Sequence, residues 1–176
     1  LGAVVMEDEE AVAVTPVATP GRDHWSTLIS EREDTRINSV DAFANHLVLH
    51  LRRDGNTGLR VLPLDTGDAG EPYDIAFPEP VYTVRPGENW EYDTRLFRLH
   101  YTSLTTPPST YDYDVAARTL TLKKRQPVLG GYDSEQYDSA REWATAEDGA
   151  RIPISLVYRK GTPRDGTAPC LLYGYG

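Results

Sequence analysis

A single cysteine, Cys170, and a single methionine stand in the whole chain of 176 residues. One cysteine permits no internal disulfide, which removes the class of small secreted scaffolds stapled by cystines. No apolar run approaches the roughly 18 residues of a membrane span. The opening residues lack a basic segment followed by an apolar one, so no signal peptide is read in the chain as given and a cytoplasmic location is expected. Positive charge is scarce: 18 Lys and Arg against 27 Asp and Glu leave a net charge of −9. Clustered Lys and Arg are what phosphate contact requires, so a nucleic-acid surface is excluded. An acidic field could attract basic peptides, although solubility accounts for it more simply. Chemical motifs are missing as well. There is no G-x-S-x-G nucleophile elbow, no H-E-x-x-H and no glycine loop able to cradle phosphate. Neither a cofactor nor a metal is expected.

What the chain does have is eleven tyrosines and thirteen prolines, a composition suited to strands and turns rather than helical bundles. No segment shows a convincing helical period. Val12 and Val14 alternate with Ala13 and Thr15 as in a strand, and Pro20-Gly21 marks a turn before Trp25 to Ile29. His46 to Arg52 reads as a strand with Leu47, Leu49 and Leu51 on one face. Arg53-Asp54-Gly55-Asn56 is its hairpin turn and Leu59 to Leu64 the return, with a second turn at Asp65-Thr66-Gly67. The unit continues through Tyr73 to Phe77 and Pro78-Glu79-Pro80. Further strands are expected at Val81–Val84, Arg95–Ser103, Thr110–Asp114 and Thr119–Lys123. Repeated strand–turn–strand units of about 40–50 residues indicate β-propeller blades. Residues 1 to about 128 would hold roughly two and a half to three of them at that spacing. Gln126-Pro127-Val128-Leu129-Gly130-Gly131 then forms a natural boundary.

The last stretch, 129–176, is the most informative. Glu147-Asp148-Gly149 is a turn signal between two strand-like runs. Ile152, Ile154, Leu156 and Tyr158 alternate with Pro153, Ser155, Val157 and Arg159. Cys170-Leu171-Leu172-Tyr173 is a continuous apolar run of the kind a buried central strand shows, with Cys170 as a small hydrophobe in it. Gly174-Tyr175-Gly176 breaks that run and would present a tyrosine hydroxyl at a strand's end.

The ordered string W-A-T-A-E-D-G, I-P-I-S-L-V-Y-R-K and L-L-Y-G-Y-G resembles the start of the peptidase domain in the prolyl oligopeptidase family of serine peptidases. Its wording is most like the oligopeptidase B branch, which cleaves after basic residues. Tyr101 to Pro107 extends the resemblance, more loosely, into the propeller region. The resemblance implies a mainly β chain: a partial β-propeller over 1–128, then the first strands of an α/β-hydrolase domain over 129–176. It also implies that the Tyr175 hydroxyl serves the oxyanion of the tetrahedral intermediate. The serine, aspartate and histidine of such a peptidase would lie beyond Gly176, so the intact protein would hydrolyse short peptides after Lys or Arg while this chain alone would be inactive. The propeller would act as a filter admitting short peptides. Cleavage after proline, or a non-catalytic propeller binding module, are the alternatives. Open blades and unpaired strand edges lead to an expectation of self-association unless a partner covers them.

Other candidates have blander readings. His46 and His50 share a strand face too far apart to hold a metal, so no metal site is expected there. Asp112 and Asp114 would sit about 7 Å apart on one strand face, read as a solvated blade edge. Trp25, Trp90 and Trp143 are read as packing residues rather than a stacking platform.

Overall fold

The computed structural model describes residues 2–7, 11–30, 32, 34–64 and 71–174. Strand accounts for 52% of the described residues and helix for 4%, the latter as two single 3₁₀ turns at Arg22–His24 and Ser134–Gln136. Three antiparallel sheets follow one another. The first contains β1 (Gly2–Glu7), β2 (Ala11–Pro16) and β3 (Ser26–Ile29). The second is β4 (Arg36–Ala42), β5 (His46–Arg53), β6 (Asn56–Pro63) and the two-residue β7 (Tyr73–Asp74). The third is β8 (Tyr82–Pro86), β9 (Leu96–Ser103), β10 (Ser109–Asp114) and β11 (Thr119–Arg125). A separate two-stranded hairpin, β12 (Tyr137–Thr145) and β13 (Arg151–Arg159), ends the regular structure.

The middle sheet is buried on both faces, and β5 shows why its sequence is nearly all apolar. Leu47, Leu49 and Leu51 point to one cluster with Val12, Ile37 and Leu62, which joins the first and second sheets. Val48, one residue out of phase, points to the other cluster with Phe43, Leu59, Val61, Val84, Phe97, Leu99, Tyr101 and Tyr113. A single apolar face was expected for β5; the structure buries both, as a central layer requires. The β5–β6 hairpin closes through Asp54 and Gly55, at φ 52° and 76°. Both central residues thus take the left-handed conformation that matches strand twist in a two-residue turn. Asp65-Thr66-Gly67 lies outside the described residues.

Side chains of the middle sheet also finish the edge of the third. The outward backbone of β8 has no strand partner among the described residues, and an unpaired edge is costly when covered. The Thr57 hydroxyl accepts the Val84 N–H at 2.7 Å, and His50 Nε2 donates to the Val84 carbonyl at 3.1 Å. On the opposite face of the third sheet, Arg98 holds Asp112 through two bonds of 2.8 and 3.0 Å, with Lys123 at 3.8 Å. Asp114 instead accepts the N–H groups of Ala116 and Ala117, each at 3.0 Å, and pairs with Arg95 at 3.2 Å. The expected blade edge is therefore corrected: β10 lies between β9 and β11, and its two aspartates are bound separately by cross-strand arginine and by a turn.

His46 is 4% exposed, stacked on Phe43 at 4.5 Å between ring centroids, and its Nε2 has no partner among the described residues. Burial lowers its pKa from the ordinary 6.5; burial also lowers His50, with the Arg52 charge adding, and His100, with the Arg85 charge adding. Unfolded chains take up these protons near pH 6.5 while the folded chain resists, so stability declines as pH falls below that value. Thermal unfolding followed from pH 7.5 to 5.5 is expected to show a falling Tm, with a shallower fall in His46→Leu. Thr57→Val is expected to lose about 1–3 kcal/mol in denaturant unfolding, because it leaves the buried Val84 N–H unpaired.

Candidate functional site

The chemistry-bearing end of the chain rests on the β12–β13 hairpin. Its register runs from Tyr137 opposite Arg159 to Thr145 opposite Arg151 without a shift. The connecting turn uses the expected residues. Gly149 takes φ 87°, the Asp148 carboxylate accepts the Ala150 N–H at 2.9 Å, and the Ala146 N–H reaches the Ala150 carbonyl at 2.9 Å. Ile154, Leu156 and Tyr158 are half-buried on one face, while Ile152, in phase with them, is 48% exposed at the hairpin's tip.

Beyond the hairpin the structure differs from the sequence expectation. Cys170 to Tyr173 forms no strand, Cys170 is exposed, and Leu171, Leu172 and Tyr173 are 92%, 84% and 84% exposed. An apolar run becomes a strand only beside a partner with free N–H and C=O groups, and the hairpin sheet contains only its own two strands among the described residues. Tyr175, the expected oxyanion donor, lies outside the described residues.

The hairpin meets the three-sheet body at the β5–β6 turn. Arg141 donates through Nη1 to Ser155 Oγ at 3.0 Å and through Nη2 to Asn56 Oδ1. Asn56 Nδ2 in turn donates to the Pro80 carbonyl at 3.0 Å. A methyl group on Gly55 would stand 3.1 Å from Pro153 Cγ and 3.4 Å from Arg141 Nη1, so the hairpin lies directly on that turn.

Beside Pro80, Glu79 collects a ring of hydroxyls. Tyr101 and Thr106 donate to Oε2 at 2.5 and 2.9 Å; Ser103 donates to Oε1 at 2.5 Å, and Thr105 binds the same oxygen. Burial pushes the Glu79 carboxyl up, yet the Ser103, Thr105, Tyr101 and Thr106 hydroxyls outweigh it and hold it below the ordinary 4.5. Burial raises the Tyr101 phenol, and its bond to the Glu79 carboxylate raises it further. A carboxylate so fully donated to is a poor proton acceptor, and Ser103 has no imidazole beside it. His50 and His100 are engaged with the Val84 carbonyl and the Thr110 hydroxyl. The arrangement binds and orients backbone; it does not form a nucleophile–base pair.

Sequence reasoning singled out Tyr101 to Pro107 without giving its hydroxyls a role, and it read Pro78-Glu79-Pro80 only as the end of one strand unit. The signal that could have found this knot is a lone glutamate between prolines followed by a Y-T-S-L-T-T run, but the contact bridges residues too distant for periodicity to show. The other candidates are scattered. His46 faces the core, and no group of metal-binding side chains occurs among the described residues. Trp25 donates to the Pro20 carbonyl at 3.2 Å beneath Arg22, and Trp143 lies under Arg151. Trp90 is 87% exposed, so the packing role expected of it is corrected: its loop carries it outward from the third sheet.

Consecutive antiparallel sheets stacked face to face, each entered from the sheet before it, define a β-propeller architecture. The sequence model described as "Prolyl oligopeptidase, N-terminal beta-propeller domain" matches residues 9–126. The chain belongs to the prolyl oligopeptidase family, a family of serine peptidases. It is similar to "Dipeptidyl aminopeptidase BI" of Pseudoxanthomonas mexicana, 34% identical over 94% of this chain and 22% of that protein. It is also similar to "Protease 2" of Moraxella lacunata, 31% identical over 98% of this chain and 25% of that protein. Oligopeptidase B from Trypanosoma brucei, solved with covalently bound antipain in a closed form, matches all of this chain and 27% of its own. That match has a TM-score of 0.79 and 32% identity. The chain thus spans about a quarter of the length of these relatives.

Gly55→Ala is expected to cost more than about 1 kcal/mol, since alanine resists positive φ and its methyl would meet Pro153. Proteolysis of β12–β13 should accelerate in that variant; an unchanged rate would show that the turn does not support the hairpin.

Proposed function

We propose that this chain is the propeller-end portion of a serine oligopeptidase, with residues 1–128 forming about three blades and 129–176 beginning an α/β-hydrolase domain. In this reading the complete enzyme hydrolyses short peptides after Lys or Arg, and the propeller excludes folded proteins. The observation that carries it is the likeness to the oligopeptidase B structure over the full chain, at 32% identity. Tyr175 then donates its hydroxyl to the developing oxyanion, an interaction supplying about 2.7–4 kcal/mol of transition-state stabilisation. Serine, aspartate and histidine come from a longer polypeptide, and the exposed Leu171, Leu172 and Tyr173 are the surface that polypeptide covers. Without it, those side chains and the hairpin edges favour self-association of the chain. A cytoplasmic location accompanies the reading.

The 34% identity to a protein named dipeptidyl aminopeptidase supports a second reading, release of dipeptides from a free amino terminus. Two arginyl fluorogenic peptides, one with a blocked and one with a free amino terminus, separate the two. The blocked peptide is expected to be cleaved by the complete enzyme; cleavage of the free one alone would favour the exopeptidase. A prolyl peptide cleaved faster than either would overturn basic specificity. The 176-residue chain is expected to turn over none of them, and turnover by it would refute the assignment of the nucleophile to other residues. Tyr175→Phe in the complete enzyme is expected to lower kcat by about 10²–10³.

A further inference from the structure

No described residue after Leu120 belongs to either buried cluster or packs against one. Burial of apolar side chains in the core therefore does not hold the β12–β13 hairpin, nor the segment leading to it, against the three sheets. Gly130 and Gly131, at φ 87° and 89°, add backbone freedom to that segment. Past the Gln126 N–H, which bonds the Pro108 carbonyl at 2.9 Å where β11 ends, two polar attachments remain among the described residues. Tyr132 donates its hydroxyl to the Thr105 carbonyl at 2.7 Å, and Arg141 reaches Asn56.

Both attachments lead to the same two residues. Thr105 sits in a tight turn closed by the Ser103 N–H on the Thr106 carbonyl at 3.0 Å. Ser103 Oγ accepts the N–H groups of Thr105 and Thr106 at 3.0 and 2.7 Å. Leu104 at the tip of this turn is 47% exposed, so burial of the tip does not hold the turn; Glu79 does, through three of its hydroxyls and that of Tyr101. At the other attachment, Asn56 is oriented by the carbonyl of Pro80, the residue next to Glu79. Bonds to an ionised acceptor are roughly twice as strong as neutral ones.

We infer that Glu79 is a positioning residue: by clamping the 103–106 turn and the 79–80 segment together, it holds the linker at Tyr132 and the hairpin at Arg141 on one rim of the sheets in one geometry. Neutralising it loosens both attachments at once, although it touches neither Tyr132 nor Arg141. This inference stands apart from the peptidase reading and its test needs no catalysis.

Hydrogen exchange of the full chain, read by peptide mass at neutral pH, tests it. Glu79→Gln is expected to speed exchange about tenfold in both 126–136 and 137–145, while β5, β6 and β9 keep their protection. Tyr132→Phe should speed only the first segment and Arg141→Met only the second. Val61→Ala, which opens a cavity in the core without touching residues 79–80, should speed neither. Unchanged exchange in Glu79→Gln, an effect in one segment alone, or an equal effect from Val61→Ala would overturn the proposal. If Glu79→Gln loses protection everywhere, Glu79→Asp decides: it keeps the charge one methylene short. Faster exchange in both segments with the body intact supports the clamp, and wild-type exchange in either refutes it.

Discussion

Everything in this chain depends on one layer being apolar on both sides. Because β5 alternates Leu47, Leu49 and Leu51 with Val48, one strand feeds two cores, and the sheets before and after it have a surface on which to stack. Complete burial of Leu47 and Val48 on opposite faces removes water from both seams. The edge of the third sheet can then approach closely enough for Thr57 and His50 to take over the hydrogen bonds of Val84. Stacking comes first, and the polar edge work is possible only because stacking holds the distance.

A different physics governs the rim. There the chain leaves the cores and polar contacts set positions: hydroxyls on Glu79, an amide between Pro80 and Arg141, a phenol on a turn carbonyl. Hydrogen bonds near solvent are individually modest because water competes for the same groups. Their influence here comes from convergence, since the turn and the segment they join carry both attachments of the hairpin. The hairpin is thus regular within itself and lightly tied to its surroundings.

Membership of the prolyl oligopeptidase family accounts for the propeller sheets. The Leu171 to Tyr173 run, with no strand beside it among the described residues, leaves large apolar side chains exposed. Gly130 and Gly131 lie between the core-bound sheets and that run, where backbone freedom permits a change of direction.

Local chemistry was legible in the sequence by itself. Period-2 alternation located β2, β5 and β13, and Asp54-Gly55 and Asp148-Gly149 marked the turns beside β5 and β13, because glycine beside aspartate tolerates the backbone these hairpins need. The strand-rich class and the absence of long helices followed from the same patterns. Only the tertiary structure decided which faces were buried, and it placed β10 inside its sheet, Val48 in a second core and Trp90 in solvent. It also left Cys170 to Tyr173 unpaired, since a strand is a property of two segments and a single apolar run cannot declare its neighbour. The Glu79 knot was hidden for a related reason: its hydroxyl donors lie 22 to 27 residues away in the chain, and no periodic signal connects residues that meet only once β8 has paired with β9.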